Sequence, residues 1–285
     1  MKSKLLLLHA ISPLHAGTGQ GVGVIDLPVA REKATGIPFL PGSTLKGVFR
    51  DACDDAAKRP LIFGPDTANA EAHAGSVTFT DARLVLLPVR SLLGVFAWVT
   101  SPLLLRRLKR DAQDGTPITL NIPTLANENT CVVSDAGCGL ILNTGAAQKV
   151  VLEDLPLDFT THNDVEKWAN WFGQYLFPQD ADAVTHLRSH LCIVSDDMLA
   201  FLLETATEIS ARIHINDDKK TVAKGQLWYE EALPTETVLV SMVVAASVKS
   251  NPTEVFETVK IISSKTLQFG GKATVGRGLC KTTLV

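Results

Sequence analysis

The apolar run Lys4–Ile11, KLLLLHAI, limits what this chain can fold into more than any other stretch. It reads as a buried first strand, broken by His9 and far short of the roughly 18 apolar residues a membrane span needs. It imitates the apolar core of a signal peptide, but too briefly to be one. The chain then enters a loop with glycine at positions 17, 19, 21 and 23, followed by one carboxylate, Asp26. Glycine without a Cβ lets backbone approach a ligand closely.

Downstream periodicity alternates strand and helix. Ser43 to about Lys58 reads as a helix with Leu45, Val48, Phe49, Ala52 and Ala56 on one face and Ser43 as N-cap. Gly75–Arg90 and Leu92–Val99 read as strand material, and Ser101-Pro102 opens a short basic helix. Residues 111–157 are rich in Gly, Asn, Pro and Thr and read as an irregular insertion with short strands. Asn163–Phe177 reads as a helix whose Val165, Trp168, Trp171, Phe172 and Tyr175 stripe belongs to a core. A strand over Leu191–Val194 leads to a helix capped by Ser195 or Asp196 and running through Glu204. RIHIN and Gln226–Glu230 flank a charged tip, Asp217–Lys220, as a long hairpin. Thr237–Val248 reads as strand, Thr253–Ser263 as helix, and Thr266–Phe269 as a strand entering GGKATVGRG. The order β–α–β…β–α–β with large insertions implies an α+β fold of ferredoxin-like type.

At 285 residues, one or two domains are expected. A net charge of −3 and an isoelectric point near 6.2 exclude a protein that coats nucleic acid through bulk charge. Any such site must be local, and three basic stretches are candidates: Arg106–Arg110, Arg212 to Lys224, and the tail after Glu257, which holds no acidic residue. The first reads as a solvated helix face. Five irregularly spaced cysteines fit a reducing compartment, and the expected location is the cytoplasm. His186, His190 and Cys192 could ligate a metal from a helix, but no fourth ligand stands out.

The segment His15–Asp51 carries the chemistry. Pro41-Gly42-Ser43-Thr44 leads into a helix with Lys46 in its first turn and Arg50 in its second. Free N–H groups, the helix dipole and two cations there suit a phosphate. Arg50 could equally pair with Asp54, four residues on. A carboxylate beside a phosphate-binding surface points to cleavage or metal-assisted handling of a phosphodiester. Asp26 reads alternatively as a turn aspartate bonded to nearby backbone. His15 reads either as a general acid or phosphate contact, or as a strand-end histidine satisfied by backbone. Glu230 and Glu231 read as a second carboxylate, or as partners of Lys224 or a neighbouring copy. GTGQGVG fails as a dinucleotide fingerprint, with Val22 or Val24 where the third glycine belongs, and no P-loop is present.

HAGTGQGVGVIDLPVARE, IPFLPGSTLKGVFRD, LIFGPD and GGKATVGRG together resemble the RAMP superfamily of CRISPR effector subunits. Within it, the chain is most similar to the repeating backbone subunit of the type III-B Cmr complex, and RIHINDDKKTVAKGQLWYEEALP resembles that family's thumb. The resemblance implies a single domain over 1–285: an RRM-like palm with insertions at 111–157 (lid region) and 212–231 (thumb hairpin). It implies copies stacked as a helical filament on CRISPR guide RNA beside other Cmr-complex subunits, with no membrane. Each thumb would flip out a nucleotide and leave single-stranded target RNA open to cleavage at regular intervals.

The family's target-cleaving aspartate maps onto Asp26, with His15 and Glu231 as further catalytic candidates. Gly42, Ser43, Thr44, Lys46 and Arg50 would hold guide phosphates, and Gly270, Gly271, Lys272 and Arg277 would form a second backbone cradle. Thr44 stands where a second serine is usual and keeps the hydroxyl. Asp26 would act as proton acceptor or hold a divalent cation, Mg2+ or Mn2+, since hard cations take oxygen ligands. The other functions to weigh are a non-catalytic RNA-binding scaffold and a stand-alone guide-processing ribonuclease.

Overall fold

A computed structural model describes residues 1–17, 25–66, 71–135, 137–143, 145, 147–215 and 222–285, with the side chains of 215 and 222–225 outside that description. Gly19, Gly21 and Gly23 of the loop, and the hairpin tip at 217–220, lie outside the described residues.

The first half of the chain runs β1 (Lys2–Ala10), β2 (Phe39–Leu40), α1 (Gly42–Asp51), α2 (Lys58–Phe63), β3 (Val77–Phe79), β4 (Ala82–Arg90), β5 (Phe96–Thr100) and α3 (Pro102–Asp111). Then come β6 (Thr130–Val133), β7 (Ile141–Asn143), β8 (Gln148–Leu152), β9 (Leu155–Thr161), α4 (Asn163–Leu176), α5 (Ala181–His190), β10 (Leu191–Ile193) and α6 (Asp196–Thr205). The chain ends with β11 (Glu208–Ile215), β12 (Val222–Ala232), β13 (Val238–Ala245), α7 (Pro252–Ser263), β14 (Leu267–Gln268), a 3-10 turn at Ala273–Val275, and β15 (Leu279–Leu284).

Among the described residues, thirteen strands form one mixed sheet in the order β14-β15-β1-β13-β4-β5-β10-β6-β9-β8-β7, with β2 on β4 and β3 on β13. β1 lies between β13 and β15, antiparallel to both, so its run of leucines is buried on both faces. Leu6 and Leu8 point into a core shared with α1, α6 and α7, through Leu45, Phe49, Leu199, Leu202, Val255 and Val259. Leu5 and Leu7 point into a second core with Leu105 and Leu108 of α3 and Val165, Trp168 and Phe172 of α4. The fold is therefore mixed α/β in three layers. Among the described residues, no helix is long and apolar enough to cross a membrane.

Several sequence expectations need revision. The helix expected to reach Lys58 stops at Asp51, and Asp55 Oδ1 accepts from the amides of Ala57 and Lys58 to open a separate α2. Ser43 is not the N-cap of α1. Pro41 holds that position, and Asp81 accepts from the Gly42 amide at 2.8 Å. Ser101 caps no amide of α3 with its side chain; Asp196 Oδ1 reaches across to Leu103 N at 2.7 Å instead. Residues 111–157 hold short strands as expected, β6, β7, β8 and the start of β9, and these join the main sheet. α5 and β15 carry no clear period in the sequence. His186 and His190 do lie on a helix, with ring centroids 4.0 Å apart, but no group of three metal-ligating side chains occurs among the described residues.

Candidate active site

Past β1 the chain leaves the sheet and meets the base of the β11–β12 hairpin. Leu14 exchanges backbone hydrogen bonds with Leu233 at 2.8 and 2.9 Å, and the Ala30 amide donates to Ala16 O at 2.7 Å. Residues 25–31 lie against β12: Leu27 N donates to Tyr229 O at 3.1 Å, and Glu231 N donates to Leu27 O at 2.9 Å. The loop after β14 closes over the same place, with Gly271 N on His15 O at 3.0 Å and Gly278 N on Pro13 O at 2.8 Å. At Gly270, with φ +73°, a Cβ would overlap the His15 carbonyl oxygen, so only glycine fits. His15, Asp26, Glu231 and residues 270–277 thus share one location although over two hundred residues separate its ends.

Asp26 is exposed, and its Oδ2 accepts from the Tyr229 amide at 2.8 Å. The bond that fixes this carboxylate comes from the hairpin rather than from its own turn. Its neighbours are spent on the protein. His15 is buried, and its Nδ1 lies 2.6 Å from the Glu231 carbonyl oxygen. The Glu231 carboxylate is buried, taking Arg31 Nη2 on Oε1 at 2.5 Å and Val29 N on Oε2 at 2.9 Å.

Glu230 faces the other side of β12; the side chain of Lys224, one expected partner, lies outside the described residues, and the partners seen come from the hairpin and the loop after β14. Lys272 Nζ and Trp228 Nε1 each reach Oε1 at 2.8 Å, and Arg212 Nε lies 3.3 Å from Oε2. Burial pushes the carboxyl up. Hydrogen bonds from Lys272 and Trp228, with the charges of Lys272 and Arg212, outweigh that and lower it to about 2. Arg277 is only 6% exposed; its Nη2 donates to Ser210 Oγ at 3.3 Å, while Nε and Nη1 have no hydrogen-bond partner among the described residues.

The start of α1 is built separately. Gly42 is buried where a Cβ would overlap the Phe79 carbonyl oxygen, which explains this glycine by packing. Ser43 is exposed, Thr44 and Lys46 are half-buried, and Lys46 forms no ion pair among the described residues. Arg50 pairs not with Asp54 but with Asp66, and donates to the carbonyls of Gly64 and Pro65 at 2.7 and 2.9 Å. Asp54 pairs with Lys265 instead. α1 joins the loop site through Phe49, whose ring centroid lies 6.3 Å from that of Phe269. The basic run of α3 is neutralised internally: Arg106 by Asp196, Arg107 by Glu32, Arg110 by Asp111, while Lys109 donates to Leu120 O.

Sequence reading missed Arg31, Trp228 and the Tyr229 amide, and named Arg212 only as part of a basic stretch. Strand alternation offered one signal, since adjacent Glu230 and Glu231 must face opposite sides of β12 and so find different partners.

The site is thus an exposed carboxylate on a hairpin base beside a strapped glycine loop, carried on a mixed sheet. The RAMP superfamily model matches residues 7–281, so the chain belongs to that superfamily. It is 36% identical to the CRISPR system Cmr endoribonuclease Cmr4 of Pyrococcus furiosus, covering 100% of this chain and 96% of the relative. The crystal structure of oligomeric Cmr4 from the same organism superposes with a TM-score of 0.74 at 28% identity, covering 100% and 99%. A chain of the type III-B Cmr-beta complex bound to cognate target RNA shares the fold at TM-score 0.74 and 22% identity, covering 100% and 97%.

Proposed function

We propose that the chain is the backbone subunit of a type III-B CRISPR effector, binding guide RNA and cleaving complementary target RNA at Asp26. The observation that carries this is the exposed Asp26 carboxylate, held by the Tyr229 amide on the hairpin base, in a chain similar over its whole length to an endoribonuclease. Copies would stack along the guide with other Cmr subunits, in the cytoplasm. The 212–231 hairpin acts as the thumb, and residues 111–157 contribute the lid.

Cleavage by the target's own 2′-OH needs in-line geometry, a proton acceptor and relief of charge on the phosphate. With Oδ2 engaged by Tyr229, Oδ1 of Asp26, which has no partner among the described residues, is the oxygen to accept a proton or bind a cation. A single carboxylate suits a hydrated Mg2+ or Mn2+ held mainly by water and RNA phosphate rather than a protein cage. Such an ion would supply charge neutralisation on the scissile phosphate. His15 and Glu231, buried and bonded, support the Asp26 strand rather than touching RNA. Ser43, Thr44 and Lys46 at the start of α1 contact guide phosphates.

The test is target cleavage by the assembled, guide-loaded complex carrying Asp26→Asn. Loss of cutting with intact target binding is expected, with 2′,3′-cyclic phosphate and 5′-OH ends in the wild type. Protected, uncut target in the wild type would mark a scaffold, and cutting of repeat RNA by the isolated chain would mark a guide-processing enzyme.

A further inference from the structure

Glu230 joins three elements through one carboxylate, of which 3% is exposed. Arg212 comes from β11, Trp228 from β12, and Lys272 from the glycine loop, at a left-handed φ of +66°. The backbone of the same residue pairs with Leu27, one position after Asp26, and the preceding amide holds the Asp26 carboxylate. The residue that ties hairpin to loop thus sits between Tyr229 and Glu231, whose backbone groups hold Leu27, and next to the amide that holds Asp26.

We propose that Glu230 is a positioning residue for cleavage: by bridging Lys272 and Arg212 it locks the hairpin base to the glycine loop, and so fixes Asp26 relative to the RNA backbone carried there. This rests on the reading of Asp26 as the cleaving group. Glu230 is unsuited to act as a base itself, because it is buried and its oxygens already face three donors. A merely stabilising role is a poor explanation too, since a buried ion pair is often no better than an apolar replacement. What the bridge supplies is geometry, and a misplacement of about 1 Å costs a reaction on the order of 100-fold.

The experiment measures single-turnover cleavage at saturating target, target affinity and guide content in guide-loaded complexes. Glu230→Gln should slow cleavage by roughly 10- to 100-fold while target Kd stays within about twofold. Lys272→Met should slow it similarly, and Lys272→Arg should retain much of the rate. The Glu230→Gln/Lys272→Met double variant should be no slower than the worse single variant, because the pair acts as a unit. An unchanged rate in Glu230→Gln overturns the proposal, as do parallel losses of assembly, guide content and rate. If Glu230→Gln does not enter the complex, Arg212→Gln decides: a slowed reaction supports the bridge and an unchanged one overturns it. Cleavage retained by Asp26→Asn would sink the Asp26 reading and this inference together. Cleavage lost there but unchanged in Glu230→Gln would sink this inference alone.

Discussion

Asp26 and Glu230 lie side by side, Glu230 bridged to the residue after Asp26, yet they are opposites. Asp26 is exposed and, among the described residues, takes one backbone hydrogen bond; Glu230 is buried among Lys272, Arg212 and Trp228. Among the described residues the exposed carboxylate has one oxygen without a partner, whereas the buried one has committed both to the fold. Acidic residues at a site therefore divide by what already occupies them, not by type or proximity. Glu231, held by Arg31 and Val29, falls on the Glu230 side.

The sharpest way to break this contrast is Asp26→Asn. Removing the charge should lower single-turnover target cleavage by at least about 100-fold, the scale of lost acid–base catalysis. Stability should change by no more than about 0.5 kcal/mol, as for an exposed surface position. Comparing cleavage with a denaturant midpoint checks both halves. A large loss of stability would put Asp26 with the structural carboxylates.

The second test strikes the buried side. Gly270→Ala forces a Cβ against the His15 carbonyl in a left-handed conformation. It should cost roughly 1–3 kcal/mol in chemical denaturation, the scale of such strain. Target cleavage should fall with it, because the displaced loop carries Lys272.

This division was only partly legible in the sequence. β1, the α4 core stripe, the hairpin and α7 announced themselves by period, because their burial is dictated by neighbours along the chain. Asp26, His15 and the glycine loop were found as motifs. The fates of Glu230, Lys272 and Arg50 were not legible, because their partners lie across the fold: Lys272 on a strand forty-two positions earlier, Arg50 on the Gly64–Asp66 turn. Basic residues that looked free on paper are largely paired in three dimensions, as in α3. The start of α1 misled in the same way, since its amide cap, Asp81, arrives from the turn between β3 and β4.

A third test uses pH. The Glu230 carboxyl sits near 2 when folded against an ordinary 4.5, so its contribution is complete above the unfolded value and is lost as pH falls from about 4.5 toward 2. Roughly 1–3 kcal/mol should disappear across that window, read as the difference between wild type and Glu230→Gln. Glu208 titrates with the opposite sign. Burial pushes its carboxyl up against the opposing charge of Arg277, so its cost is relieved on acidification. Subtracting the two curves removes that shared term. A difference that stays flat below pH 4.5 would deny the ionic character of the bridge.

The smallest expected effect separates the two cations of α1. Arg50 is tied to Asp66 and two carbonyls, whereas Lys46 forms no ion pair among the described residues. If Lys46 meets a guide phosphate, Lys46→Ala should weaken guide binding about equally for all sequences and reduce the slope of log K against log salt by roughly 0.7, the counterion release of one single-strand phosphate. Arg50→Ala should leave that slope almost unchanged and instead lower the denaturant midpoint, because it frees the Gly64–Asp66 turn. Equal slopes in Lys46→Ala and wild type would remove Lys46 from the RNA surface. A reduced slope in Arg50→Ala would mean that the Asp66 pair opens when RNA binds, so that a paired cation at this site is held in reserve for phosphate.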